Sequence, residues 1–252
     1  MAHQIDYTII GDDMQAVIIY LDPAEAVTAE AGALMYKSQD VEMDTGTHGG
    51  IFKGLKRMVT GESFFVTAFK YTGAERGEVA FSAPYPGKII PVDLSQGAVL
   101  CQKDAYLCSA YGVDINIAFT RRLGAGFFGG EGFILQRLSG NGFAFIHAGG
   151  TLIKKTLKKG DVLHVDTGCL VAFTENIEYN IQFVGGIKTA LFGGEGLFFA
   201  VLSGEGEVFL QTLPFSRMAD RIVAAAKPYM RKEETRAGGD IFGGLGKLIS
   251  GK

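Results

Sequence analysis

Tryptophan is absent from this chain of 252 residues, cysteine occurs only three times and proline six times. Three cysteines, Cys101, Cys108 and Cys169, are too few and too odd in number for a disulfide framework. They read as reduced, mostly buried thiols, and Cys101 and Cys108 lack the two-residue spacing of redox or zinc pairs. Charge of one sign is lacking too. A formal net charge of −3 leaves no strongly basic face of the kind that binding to nucleic acid requires. No apolar run reaches the roughly 18 residues that span a bilayer. The opening MAHQIDYTII has no basic stretch followed by an apolar core, so no secretory leader is expected and the expected location is the cytoplasm.

The usual catalytic patterns are missing as well. The four histidines, His3, His48, His147 and His164, show no metal-ligand spacing. No serine sits in a Gly-x-Ser-x-Gly elbow. The Phe-Gly-Gly-Glu-Gly stretches are not phosphate loops, which need Gly-Lys-Ser/Thr opening a helix. The expectation is a protein without enzymatic activity, metal or cofactor.

What is there is glycine, 36 residues, with 19 Phe and 9 Tyr, a composition that suits many short strands joined by tight turns. The glycines are phased. Phe128–Gly142 reads FGGEGFILQRLSGNG and Phe192–Gly206 reads FGGEGLFFAVLSGEG, which align without a gap. A third copy, VTGESFFVTAFKYTG from Val59 to Gly73, is in phase: Glu62, Glu131 and Glu195 are each followed eleven positions later by Gly73, Gly142 and Gly206.

The lead-ins repeat more weakly. Leu21, Val27 and Glu30 correspond to Leu94, Leu100 and Asp104, and again to Leu157, Leu163 and Asp166. Alternation predicts strands at 16–21, 88–94, 113–119, 143–147, 152–157, 177–183 and 208–213. The fold class is therefore all-β, three tandem repeats (about 1–80, 81–149 and 150–213) sharing one core around a pseudo-threefold axis, because one such unit is too small to bury a core alone.

A tail, 214–252, follows the repeats. Pro214 is placed to open a helix with Phe215, Met218, Ile222, Val223 and Ala226 on one face, and Pro228 to end it. The last stretch has a twin inside the chain. Ile51-Phe52-Lys53-Gly54-Leu55-Lys56-Arg57 matches Ile241-Phe242-Gly243-Gly244-Leu245-Gly246-Lys247 at a constant offset (241 − 51 = 190), and Met58 matches Leu248. Two copies of a basic, apolar segment are candidate docking elements: Ile51, Phe52, Leu55, Lys56 and Arg57 in the first, and Ile241, Phe242, Leu245, Lys247 and Leu248 in the second. They would meet a membrane surface or a protein partner, or pack on the protein itself.

The repeat signature offers a second set of candidates: Gly61 and Glu62; Gly129, Gly130, Glu131 and Gly132; Gly193, Gly194, Glu195 and Gly196. A ring of three carboxylates could bind a cation. The plainer reading makes them structural, each Glu accepting backbone N–H groups from its glycine-rich turn or pairing with Arg121, Arg122 or Lys188. Lys154, Lys155, Lys158 and Lys159 form a basic hairpin best suited to guarding a strand edge.

The three Gly-Glu blocks, the GLKRMVTGES stretch at 54–63 and the GGLG tail together resemble the altered inheritance of mitochondria protein 24 family over nearly the whole chain. The resemblance implies the fold of the tryptophan RNA-binding attenuation protein (TRAP), a sandwich similar to a double-stranded β-helix, tripled within each chain; the helix and tail read from residues 214–252 complete the expected architecture. It also implies association into homo-oligomers, with a trimer favoured. It supplies no catalytic residues. Its mitochondrial members suggest membrane organisation, hence a binding or scaffolding protein peripheral to a membrane; the fold alone would suggest a small-ligand or RNA-binding oligomer instead.

Overall fold

The computed structural model describes residues 2–44, 66–121, 133–183 and 198–226. The chain divides into two compact units, Met1–Pro214 and Phe215–Lys252. The first is all β. The second begins with a helix over 215–226, directly after Pro214.

Strand β1 (Asp6–Ile10) stands alone at the start, and six strands then recur three times. The first repeat holds β2 (Ala16–Leu21), β3 (Ala26–Glu30), β4 (Leu34–Lys37), β5 (Val41–Asp44), β6 (Val66–Tyr71) and β7 (Gly77–Ser82). The second holds β8 (Gly87–Asp93), β9 (Val99–Gln102), β10 (Tyr106–Ala110), β11 (Asp114–Arg121), β12 (Phe133–Ser139) and β13 (Phe143–Gly149). The third holds β14 (Leu152–Leu157), β15 (Val162–Asp166), β16 (Leu170–Thr174), β17 (Glu178–Phe183), β18 (Phe198–Ser203) and β19 (Gly206–Gln211).

Pairing within each repeat is the same. The first and third strands flank the sixth, and the second and fourth flank the fifth, all antiparallel. The third strand carries an irregularity at the same place each time, between Leu34 and Tyr36, between Tyr106 and Cys108, and between Leu170 and Ala172. A bulge that recurs in matching register is a feature of the unit, since it re-aims the strand and sharpens its twist.

Registers fix the equivalences and correct two of those expected from sequence. Val27 lies opposite Phe69 and Val99 opposite Leu138, so Val99 rather than Leu100 matches Val27. Glu30 lies opposite Val66 and Gln102 opposite Leu135, so Gln102 rather than Asp104 matches Glu30. The glycine opening the sixth strand is Gly77 in the first repeat, not Gly73. Leu21 faces Gly77 as Leu157 faces Gly206, because the first repeat's β6–β7 turn is longer than the turns that follow Ser139 and Ser203. Those two tight turns place Gly140 at φ +132° and Gly204 at φ +105°, where a side chain would be strained.

The repeats are stitched together by one further pairing. The second strand of one repeat adds to the third strand of the next, β3 to β10 and β9 to β16. Two six-stranded sheets result, β5-β6-β3-β10-β13-β8 and β11-β12-β9-β16-β19-β14. The cores follow this stitching. Phe145 of the second repeat is buried with Ile19, Val27 and Phe81 of the first, and Phe209 of the third with Val99, Cys101 and Ile146 of the second. A third core gathers Leu100, Phe133, Leu170, Phe173 and Leu202.

Candidate functional site

The stitching leaves two half-sheets over. One is β1-β2-β7-β4, which ends at β4; the other is β15-β18-β17, which ends at β15. Written by position in the repeat, each complete sheet runs fourth-fifth-second and then third-sixth-first. The halves β17-β18-β15 and β4-β7-β2 are those two triplets, left unjoined among the described residues.

Exposure follows from this. Met35 is 53% and Tyr36 41% exposed on β4, whereas their counterparts Leu107 and Cys108 are 2% and 0%, and Val171 and Ala172 are 1% and 0%. On β15 Val162 is 59% exposed, whereas its counterpart Ala26 is 1%. His164 is exposed, whereas Thr28 and Leu100 at the matching places are buried.

The chemistry at each junction centres on three side chains. In the first junction Thr28, Ser109 and Tyr106 form a buried triangle of hydroxyls: Thr28 Oγ1 to Ser109 Oγ 3.0 Å, Thr28 Oγ1 to Tyr106 Oη 3.1 Å, and Tyr106 Oη to Ser109 Oγ 2.9 Å. Burial pushes the Tyr106 phenol well up. In the second junction the matching residues are Leu100, Phe173 and Leu170, all buried. In the open edges they are His164, Lys37 and Leu34.

The edges at β8 and β14 are guarded. β8 ends its sheet and carries Pro91, which has no N–H to offer a neighbour. β14 ends the other, with Lys154 and Lys155 exposed and Lys154 Nζ 2.6 Å from Glu207 Oε1. β4 and β15 carry neither a proline nor a lysine pair, and the same holds for the sheet ends β1, β5, β11 and β17.

Beside the first junction lies a group of ionisable side chains. Desolvation and then the Asp104 carboxylate push Glu30 up to about 7, against the pull of Lys103. Burial, with Asp104 and Glu30 next, pushes Tyr85 up to about 12. The Tyr85 ring meets His147 edge-on, with centroids 4.6 Å apart. His147 is 3% exposed, burial lowers it to about 4, and its Nδ1 takes no hydrogen bond among the described residues. These groups couple the fold to pH. Among the described residues no group of three or more His, Cys, Asp or Glu is placed to hold a metal.

The residues singled out in sequence lie elsewhere. Gly61, Glu62, Gly129, Gly130, Glu131, Gly132, Gly193, Gly194, Glu195 and Gly196 fall outside the described residues, as do the docking candidates at 51–57 and 241–248. The structure instead brings forward Met35, Tyr36, Lys37, Val162 and His164. Their signal in the sequence is a contrast between matched positions: Tyr36-Lys37 stands where the other repeats have Cys108-Ser109 and Ala172-Phe173.

The sequence profile of the family described as mitochondrial biogenesis AIM24 matches residues 7–213, the span of all three repeats. The chain belongs to this family. An uncharacterised protein of Streptococcus pyogenes serotype M6 is 26% identical over 211 residues, covering 81% of this chain and 83% of its own. A crystal structure of a protein from Streptococcus pyogenes superposes with a TM-score of 0.72 at 23% identity, covering 90% of this chain and all of the other, which shows a shared fold. Among the described residues no helix is long and apolar enough to cross a membrane.

Proposed function

We propose that this AIM24-family chain is a non-catalytic scaffold that works as a homo-oligomer. The observation carrying the reading is the pair of unjoined half-sheets, whose edges expose Met35, Tyr36 and His164 at positions that both internal junctions bury. Edge strands left open in this way are templates for pairing with another chain. In the assembled form the basic, apolar segments 51–61 and 241–251 would be present in several copies, and repeated weak contacts raise avidity for a membrane surface or partner.

Two measurements test it. Light scattering of the full chain at micromolar concentration should give a mass of several chains, three being the number favoured by the family resemblance; the mass of one chain overturns the reading. Co-sedimentation with anionic vesicles, beside a chain ending at Ala237, assigns the outlet. Binding by the full chain alone makes the tail a membrane contact, and binding by neither directs the scaffold to a protein partner.

A further inference from the structure

The helix that opens the second unit is amphipathic, and much of its apolar side is uncovered. We infer that the helix over 215–226 lies along an anionic bilayer surface, with Phe215, Met218, Ile222 and Val223 towards the acyl chains and Arg217 and Arg221 at the headgroups. This surface deepens the scaffold reading above and rests on its membrane outlet.

Apolar residues recur at 215, 218, 219, 222, 223 and 226, the i, i+3, i+4, i+7, i+8, i+11 spacing of one helical face. Ser216, Arg217, Asp220 and Arg221 fall on the other side. A helix of this pattern in a globular protein turns its apolar stripe to a core and hides it from water. This one leaves Phe215 50%, Ile222 60% and Val223 51% exposed. Three of the eleven large apolar side chains exposed among the described residues thus fall within twelve consecutive positions. A helix this short is marginal in water by itself, and burial of its apolar side is what stabilises it.

Charge selects the occupant. Residues 215–252 hold eight Lys and Arg against four Asp and Glu (8 − 4 = +4), which leaves 16 against 23 for residues 1–214 (16 − 23 = −7). The boundary between these opposite balances is the boundary between the two compact units. An anionic bilayer therefore attracts the second unit and repels the first, and each Lys or Arg close to the surface raises affinity about fivefold. Arg217 and Arg221, four positions apart, carry their charge on long apolar stems that let the helix sink while the guanidinium stays in water. Among the described residues no helix is long and apolar enough to cross a membrane, so the contact runs along the surface.

The absence of tryptophan gives the test a silent background. In the full chain, Phe215→Trp puts a fluorophore on the apolar side and Ala224→Trp puts one on the opposite side. Vesicles of phosphatidylcholine and phosphatidylglycerol in equal parts should shift the Phe215→Trp emission to the blue. Brominated acyl chains should quench it and leave Ala224→Trp unquenched, and vesicles of phosphatidylcholine alone should do neither. Arg217→Gln with Arg221→Gln should weaken binding about 25-fold. Ile222→Glu with Val223→Glu should weaken it by more than about tenfold. Thermal unfolding of the β unit should be unchanged in both double variants, because all four side chains are exposed.

Vesicle binding without quenching of Phe215→Trp, or with equal quenching of Ala224→Trp, overturns the inference and leaves the contact to segments 51–61 and 241–251. Equal binding to the neutral vesicles overturns the anionic assignment. No binding to either vesicle overturns the inference together with the membrane outlet, while the mass from light scattering decides the assembly separately.

Discussion

Tyr106 and Thr28 lie 78 positions apart in the chain and share a buried hydrogen bond of 3.1 Å between their hydroxyls, across the seam that joins the first repeat to the second. The Tyr106 O–H also reaches the Thr28 carbonyl at 3.2 Å. Tyr106→Phe keeps the ring and removes these contacts, leaving Thr28 and Ser109 bonded to each other. A loss of about 1–2 kcal/mol in urea unfolding is expected. Replacing all three residues by the Leu, Leu and Phe of the second seam should cost less than the sum of the single changes, because no polar group is then left without a partner.

The ionisable groups beside that seam act in opposite directions with pH. Glu30 is raised to about 7 in the fold, so folding holds its proton where the unfolded chain releases it. Its contribution is full below about 4.5 and is lost as pH rises through 7. His147 is lowered to about 4, so stability is full above about 6.5 and falls as pH drops from there towards 4. Thermal unfolding followed from pH 4 to 8 should show a maximum between pH 5 and 6.5. Glu30→Gln should raise stability at pH 8 by about 2 kcal/mol and change little at pH 4.5.

Gly87 opens β8 against His147. A Cβ there would lie 2.1 Å from the Ala148 carbonyl oxygen and 2.4 Å from His147 Nε2. Gly87→Ala forces the backbone apart and should cost about 1–3 kcal/mol, read as a lower urea midpoint. If the clash with His147 contributes, His147→Ala in the same chain should restore part of the loss.

Phe145 is 0% exposed, belongs to the second repeat, and packs in the first core with its ring 4.8 Å from that of Tyr7. Phe145→Ala should destabilise by about 3–5 kcal/mol. Hydrogen exchange should rise across β1 and the first repeat, and not only in the repeat that carries the substitution.

Removing the guards should create a new sticky edge. Lys154→Thr with Lys155→Val leaves β14 exposed without its charges, and growth of particle size with concentration is expected by dynamic light scattering.

The glycine-phased blocks were legible in the sequence because fifth and sixth strands follow one another directly, so their turn chemistry repeats at short range. The misreadings have local causes. Counting from Leu94 puts Leu100 in the place of Val27, because the turn before β9 is one residue shorter than the turn before β3, and a strand misplaced by one residue swaps its faces. Gly73 kept its spacing from Glu62, yet the longer turn that follows hands its structural place to Gly77. The open edges left no periodic mark, because the partner of β3 lies some eighty positions away in β10 and the pairing writes nothing into either segment alone. What could be read was the odd polarity of Tyr36-Lys37 beside its counterparts.

The seam between repeats also sets an order of events on the ribosome. β3 is complete long before β10 exists, and at about 5–20 residues per second its partner arrives several seconds later. The growing chain therefore always shows one freshly made, uncovered second strand, which the next repeat closes as it emerges. In the last repeat no later described strand closes β15, so its second strand keeps the uncovered state through which β3 and β9 pass only briefly.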